Sequence, residues 1–161
     1  MKVKEVMTTS VAAVRSNEPL SLAAQLMWDC DCGALPVKDA LSGRIVGMIT
    51  DRDICMASWM RDRTPSSIRV AEAMSQHVYA AAPEDSVSSA EHLMRLKQIR
   101  RLPILDDCSE LVGILSLADI ATAAERQGTK PAAGELAAGE VIATLADICH
   151  PRPSPFSSAT Y

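Results

Sequence analysis

The strongest constraint on the fold is that the 161-residue sequence repeats itself at an offset of 67 positions. At this offset, identical residues recur in the same order: Val3, Glu5 and Met7 match Val70, Glu72 and Met74, and Leu35, Pro36 and Asp39 match Leu102, Pro103 and Asp106. After a one-residue deletion, Val46, Gly47, Asp53 and Ile54 match Val112, Gly113, Asp119 and Ile120. Units of about 60 residues bury little apolar surface alone, so the two copies are expected to pack as a pseudo-symmetric pair.

Each copy has the sequence pattern of a strand, a helix, two strands and a second helix, which predicts an α+β fold. The predicted first strands are 11–14 and 78–81, and helices follow from Leu20 and Val87. The next strands are predicted at 34–37 and 102–105 and at 44–49 and 111–115, with Gly33 closing the first helix. The prolines in the second strands predict edge strands or strands with one side free. Copy 1 is assigned to residues 3–60, a linker to 61–69 and copy 2 to 70–125.

Residues 126–161 are predicted to form a C-terminal extension with one helix. Its apolar residues fall on one helical face, namely Val141, Ile142, Leu145, Ile148 and Cys149. This face is expected to dock on the protein's own core or across a dimer. A loop is predicted at 127–131, three prolines between 151 and 155 are expected to end the helix, and the last ten residues are expected to fray.

The most informative stretch of each copy is a strand-to-helix junction, at residues 47–54 and 113–120. Each has a glycine, two apolar residues, a hydroxyl residue and, three positions later, an aspartate. The hydroxyl and the aspartate, Thr50 with Asp53 and Ser116 with Asp119, form a capping-box pattern. Helix capping alone explains a single occurrence, and a ligand-binding role is compatible with it.

Composition argues against several classes of function. The net charge of −4 and the pI near 5.3 provide no basic field for nucleic acid. The sequence shows no secretory signal pattern and no apolar run of about 20 residues, so a cytoplasmic protein without membrane contact is expected. No catalytic motif is present, and His77, His92 and His150 lack the spacing of a nucleophile or zinc site, so the chain is predicted not to be an enzyme.

The five cysteines are odd in number and are expected to be reduced thiols. Cys30 and Cys32 are the only close pair. An isolated pair of this kind is more typical of packing at a helix end than of a metal site. A thiol or metal sensor using these two residues remains an alternative function.

With these motifs laid out, both copies resemble CBS domains, and the tandem pair resembles a Bateman module over about residues 3–125. The resemblance is carried by residues 33–37, 47–54, 99–104 and 113–120. Length and layout are similar to small bacterial stand-alone CBS proteins. The resemblance implies a non-catalytic regulatory module that binds AMP, ADP, ATP, S-adenosylmethionine or a related compound in clefts between the repeats.

The resemblance also implies roles for individual residues. Asp53 and Asp119 would accept hydrogen bonds from ribose hydroxyls, and Thr50 and Ser116 would lie beside ribose or phosphate, where helix-terminal amides favour an anion. Arg52, Arg100 and Arg101 would supply positive charge for phosphate. The adenine would lie against the following residues: Val11, Ala13, Ala34 and Leu35 in one cleft, and Val78, Ala80 and Leu102 in the other.

The expected ligand is therefore a regulatory adenine nucleotide, with no required cofactor and no metal. A homodimer and a separate, unidentified regulated protein are the expected partners. Besides the thiol or metal sensor, a ligand-independent dimeric scaffold is an alternative, because capping alone would leave the junctions without a ligand.

Overall fold

The computed structural model describes residues 1–127 and 138–149. Its elements run in this order: β1 (Val14–Arg15), α1 (Leu20–Asp29), β2 (Ala34–Lys38), β3 (Ile45–Thr50), α2 (Asp51–Arg61), α3 (Val87–Lys97), β4 (Arg101–Leu105), β5 (Leu111–Ser116), α4 (Leu117–Gln127) and α5 (Ala138–Cys149). Short 3-10 turns lie at Val3–Glu5, Pro65–Ser67 and Val70–Glu72. This mixed architecture and the C-terminal helix confirm the predicted α+β class.

The chain divides into two compact units, and each unit contains residues from both sequence copies. Unit 1 comprises Met1–Met7, Pro83–Leu102 and Ile114–Tyr161, and unit 2 comprises Thr8–Ala82 and Pro103–Gly113. Unit 2 holds a three-stranded sheet in the order β1-β2-β3, in which β2 pairs parallel with β1 and antiparallel with β3. Strands β4 and β5 form a two-stranded sheet.

The strands with prolines were expected to lie at an edge or to have one side free. For β2 the first alternative is wrong, since β2 is the central strand. Its proline nevertheless limits the pairing with β1. Pro36 lies opposite Met48, whose amide and carbonyl bond to Ser75, so this is a non-hydrogen-bonded pair of the β2–β3 ladder. The nitrogen of Pro36 therefore faces β1 and cannot donate. The β1 ladder begins only beyond it, at Val14 opposite Val37.

The same effect shortens the first strand of copy 2. A strand was predicted over residues 78–81, but only Ala81 makes a bridge, parallel to Ile104. The Ala81 amide donates to the Pro103 carbonyl at 3.2 Å, and the Leu105 amide donates to the Ala81 carbonyl at 3.0 Å. Both predicted first strands, 11–14 and 78–81, are therefore shorter than expected. Each pairs with the neighbouring strand only from the residue that follows its proline, Val37 in copy 1 and Ile104 in copy 2.

Helix α1 ends earlier than predicted. Asp31, with φ of 48°, takes the left-handed position at which Gly33 was expected. The Asp31 amide bonds the Trp28 carbonyl and the Cys32 amide bonds the Met27 carbonyl, closing the helix. Aspartate tolerates this conformation better than most residues, which is why no glycine is needed there. The helix begins at Leu20, as predicted, with Pro19 as its N-cap.

The segment predicted as a linker contributes to the core of unit 2. Ile68 is fully buried, and its carbonyl accepts a hydrogen bond from the Leu20 amide at 2.9 Å. The buried cluster that it joins contains Val14, Leu20, Ala23, Met27, Leu35, Val37, Ile49, Ile54, Ala57 and Val70. Residues 61–69 are therefore partly structural rather than a simple connection.

The N-terminal residues of unit 1 dock on the segment before α3. The Val3 amide donates to the Asp85 carbonyl at 2.9 Å, and Lys2 and Lys4 each place a side-chain nitrogen 2.5 Å from a carboxylate oxygen of Glu84. Hydrogen bonds from the two lysines lower the pKa of Glu84 to about 2. These ion pairs are exposed, so salt screens them and they contribute little to stability.

Helix α5 packs against α3 and α4 within unit 1, so it docks on the chain's own core. The predicted docking face is wrong in part, because Ile142 and Leu145 are exposed while Val141 and Thr144 are buried. The Thr144 hydroxyl donates to the buried Glu91 carboxylate at 2.7 Å. The buried face of α5 therefore includes a polar pair as well as apolar residues. The predictions for residues 128–131 and 150–161 lie outside the described residues.

Candidate functional site

The copy 1 junction places the end of β3 and the start of α2 beside β2. Ala34 pairs with Thr50 across the β2–β3 ladder, and the Asp51 amide donates to the Gly33 carbonyl at 3.3 Å. The Thr50 hydroxyl and amide both donate to Asp53 Oδ2, at 2.7 and 3.0 Å, and the Asp53 amide donates back to Thr50 Oγ1 at 3.2 Å. The predicted capping box is therefore formed.

The copy 2 junction repeats this geometry at the start of α4. The Ser116 amide and hydroxyl donate to Asp119 Oδ2 at 2.7 and 2.6 Å, and the Asp119 amide donates to Ser116 Oγ at 3.2 Å. The Leu117 amide donates to the Arg100 carbonyl at 2.9 Å, as the Asp51 amide does to Gly33 in copy 1. Two junctions 66 residues apart thus share one hydrogen-bond pattern.

Each junction aspartate is fixed by one carboxylate oxygen and keeps the other available. Asp53 and Asp119 are half-buried, and their Oδ1 atoms accept no hydrogen bond from the residues that the structure describes. A carboxylate oxygen has two acceptor sites, so Oδ1 can receive donors such as ribose hydroxyls while Oδ2 holds the cap. Capping and ligand binding are therefore compatible at both junctions.

Asp51 is the site residue that sequence reasoning missed. Its Oδ1 accepts a hydrogen bond from the Arg52 amide at 2.7 Å, and Thr50 accepts from the Asp53 amide. Together with the bond to Gly33, all three amides of the first turn of α2 have acceptors. The signal was a second acid at the first helical position, a position that favours acids. These amides are thus already engaged by protein acceptors, contrary to the expected use for phosphate.

The other predicted site residues are distributed as follows. Ala34, Leu35 and Leu102 are buried, whereas Val11, Ala13, Val78, Ala80 and Arg101 are half-buried and Arg52 and Arg100 are exposed. The structure brings Ala34 and Leu35 next to the copy 1 junction through the β2–β3 ladder. The side chain of Leu35 belongs to the core, and its amide and carbonyl face β3 in the hydrogen-bonded pair with Ile49. The amide and carbonyl of Ala34, in the next non-hydrogen-bonded pair, point away from β3. Val78 and Ala80 belong to unit 2, while Arg100, Arg101, Leu102, Ser116 and Asp119 belong to unit 1.

The histidines and cysteines do not form a metal cluster in residues 1–127 and 138–149. No group of three or more His, Cys, Asp or Glu side chains is arranged there to hold an ion. Cys30 is exposed and Cys32 is half-buried. His77 and His92 are exposed. His150 lies outside the described residues.

The family is decided by one observation: a known domain family matches the chain twice, and each match contains one of the two junctions. The family model of the CBS domain matches residues 3–59 and again 70–126. The chain belongs to the CBS-domain family. It carries two CBS domains in tandem, and each match ends within the junction helix that the duplicated capping box begins.

Similar proteins include other small CBS proteins. The CBS domain-containing protein YhcV of Bacillus subtilis is 42% identical over 119 residues, which cover 74% of this chain and 82% of YhcV. Hypoxic response protein 1 of Mycobacterium tuberculosis is 33% identical over 118 residues, covering 73% of this chain and 81% of that protein.

A solved structure of the same fold is the CBS domain pair of protein MJ0100, in complex with 5-methylthioadenosine and S-adenosyl-L-methionine. It has a TM-score of 0.69 and 27% identity, covering 81% of this chain and 98% of that one. Enzymes also match, but only in part: the homoserine O-acetyltransferase of Methanohalophilus mahii is 35% identical over 26% of its own length, its CBS portion. Within the described residues, no helix is long and apolar enough to span a membrane.

Proposed function

We propose that this protein is a non-catalytic regulatory sensor that binds an adenosyl compound at its two strand-to-helix junctions. The observation that carries the proposal is the duplicated aspartate geometry. Asp53 and Asp119 are each anchored through Oδ2 and leave Oδ1 open to an incoming donor. A carboxylate held in a fixed orientation can accept from the hydroxyls of a ribose at little entropic cost.

Two further facts support an adenosyl ligand. The similar CBS pair of MJ0100 was solved with two adenosyl compounds, 5-methylthioadenosine and S-adenosyl-L-methionine. Beside the copy 1 junction, the amide and carbonyl of Ala34 point away from Thr50, its partner in β3, and could hydrogen-bond the edge of an adjacent base. The ligand acts as a regulatory signal, and the sensor has no reaction of its own in this proposal.

Regulation requires that the ligand bind two arrangements of the protein with different affinity. A ligand with equal affinity for both would shift nothing, however tightly it bound. The ligand-facing aspartates lie in the first turns of α2 and α4, so a bound ribose adds contacts near the start of each helix. The regulated partner would respond to the arrangement that those contacts favour.

A thermal-shift screen with AMP, ADP, ATP, NAD, S-adenosylmethionine and GMP tests the proposal. At about 100 times its dissociation constant, a specific ligand should raise the free energy of unfolding by about 2.7 kcal/mol, and GMP should not. For each compound that stabilises the protein, at least one of Asp53→Asn and Asp119→Asn should reduce the shift, because the variant removes the charge that faces the ribose while preserving an oxygen for the cap.

Ser86→Ala is the matched control. The Ser86 hydroxyl caps α3 by accepting from the Ser89 amide at 3.0 Å, so its loss weakens a helix N-terminus away from the junctions. This variant should have a lower melting temperature but the same ligand-induced shift. If no adenosyl compound stabilises the protein, or if Ser86→Ala loses the shift as a junction variant does, the ligand-independent scaffold becomes the better explanation.

We also propose that the protein is a homodimer joined through the exposed face of α1 and α2. Trp28, Trp59 and Met60 are 87%, 75% and 71% exposed, and Met56 lies on the same side of α2. Tryptophan side chains with so large an exposed fraction are typical of a contact surface. In a twofold-symmetric dimer, such a surface on one copy is covered by the same surface on the other.

Sedimentation velocity should therefore give a dimer for the unaltered chain and a monomer for Trp59→Ser. Leu41→Ser provides the control, because Leu41 is 98% exposed in the turn between β2 and β3, away from these helices. This variant should remain dimeric. A monomeric unaltered chain, or a Trp59→Ser variant that stays dimeric, would contradict the proposed interface.

A further inference from the structure

The two junctions carry opposite charge. The compared positions are residues 28–34 with 50–53 in copy 1 and residues 95–101 with 116–119 in copy 2. In copy 1 they hold four aspartates and one arginine, a formal charge of −3: Asp29, Asp31, Asp51, Asp53 and Arg52. In copy 2 they hold four basic residues and one aspartate, a formal charge of +3: Arg95, Lys97, Arg100, Arg101 and Asp119. Arg95 is paired with Asp147 of α5 at 3.4 Å, so the positive charge left beside the junction is +2.

In copy 1 the acidic side chains lie where a phosphate would approach the helix. Asp51 Oδ1 bonds the Arg52 amide at 2.7 Å and so covers the first turn of α2 with a carboxylate. Asp31 and Asp51 also line one cavity of about 440 Å³ together with Gly33, whose carbonyl bonds the Asp51 amide. A phosphate at this junction would meet like charge and would find the first-turn amides already bonded.

In copy 2 the corresponding features are reversed. Leu117 replaces Asp51, and the Ala118 amide has no acceptor among the residues that the structure describes. The Arg100 carbonyl bonds the Leu117 amide, which fixes the Arg100 backbone at the start of α4. Arg100 and Arg101 form no ion pair within the described part of the chain. An open helix-terminal amide and two arginines together favour a phosphate.

We infer that the two junctions select ligands by charge: copy 1 takes an adenosyl compound without phosphate, and copy 2 takes a phosphorylated adenine nucleotide. Asp51 is the residue that excludes phosphate from copy 1. This inference rests on the proposed function, because it assigns a ligand class to each of the same two sites. The sensor would then respond to two different compounds rather than to two molecules of one.

Calorimetric titration of the full chain with adenosine and with AMP tests the assignment, since these ligands differ only by the phosphate. Asp119→Asn should weaken AMP binding at least tenfold, whereas Asp53→Asn should leave it within twofold. Adenosine should show the reverse dependence. In the Asp119→Asn background, Asp51→Asn should strengthen AMP binding at copy 1 about tenfold, because asparagine can still accept from the Arg52 amide but carries no charge.

Asp62→Asn in the same background is the matched control. It makes the same change of charge at the opposite end of α2, where Asp62 is exposed with φ of 48°, a conformation that asparagine also adopts. It should leave AMP and adenosine binding within twofold. Equal AMP binding by both junctions, unaffected by Asp51→Asn, would overturn the charge assignment and leave the proposed function standing. Failure of the unaltered chain to bind either ligand would overturn both.

Discussion

Replacing Ile68 with alanine should lower the free energy of unfolding by about 2–5 kcal/mol, the range for a large-to-small change in a packed core. Ile68 has no exposed surface and lies in the buried cluster of unit 2. Its carbonyl also holds the first amide of α1, at Leu20. The cavity left by the lost side chain would therefore adjoin the start of that helix. Urea unfolding of the full chain, followed by circular dichroism, measures this loss.

Ile142→Ala makes the same chemical change at an exposed position. Ile142 is 67% exposed on α5, so its truncation should alter the free energy of unfolding by no more than about 0.5 kcal/mol. If both variants lost a comparable free energy of unfolding, the burial of the replaced side chain would not determine the size of the loss. A negligible loss in Ile68→Ala would mean that residues 61–69 behave as the polar linker that the sequence suggests.

The junctions could be predicted from sequence because their structure is local. Thr50 and Asp53 lie three residues apart, and so do Ser116 and Asp119, so a capping box needs no knowledge of the rest of the fold. A single occurrence is explained by helix capping alone. The same pattern at equivalent positions of both copies is what indicated a further role. The order of strands and helices followed from the same comparison.

The features that were predicted incorrectly depend on contacts distant in sequence. Ile68 looked like part of a polar segment because its neighbours Ser66, Ser67 and Arg69 are polar, and only the packing against α1 shows its burial. The face of α5 was misassigned because the hydrophobic pattern favoured Ile142, while the hydroxyl of Thr144 pairs with Glu91, 53 residues away. The hydrophobic periodicity of a helix does not indicate which polar residues are buried as a pair.

The ligand assignment falls between these cases. The charge difference between the copies is visible in sequence, because Arg100 and Arg101 replace Gly33 and Ala34. Sequence alone did not show that Asp51 bonds the Arg52 amide and so engages the amides expected to bind phosphate. In the proposed assignment, selectivity depends on the Asp51 carboxylate, whose negative charge at the first turn of α2 makes that helix terminus unfavourable for anions.

The second large effect is expected for Gly47→Ala, which should destabilise the protein by about 2–4 kcal/mol. An added Cβ at Gly47 would lie 2.7 Å from the Met74 sulfur and 2.7 Å from the Ser75 carbonyl oxygen. The methionine can move, but the carbonyl is backbone and accepts from the Met48 amide at 3.0 Å. The new methyl group would therefore displace the Ser75 segment and weaken its pair of hydrogen bonds to β3.

Gly139→Ala shows whether this cost comes from close approach or from glycine itself. A Cβ at Gly139 would meet nothing within 4 Å, and this position lies inside α5. Alanine should therefore be neutral there or stabilise the helix by up to about 1 kcal/mol. Chemical denaturation of both variants should give changes of opposite sign or very unequal size. If Gly47→Ala were as well tolerated as Gly139→Ala, the junction glycine would not be required by the backbone of Ser75, and its recurrence as Gly113 would need another cause.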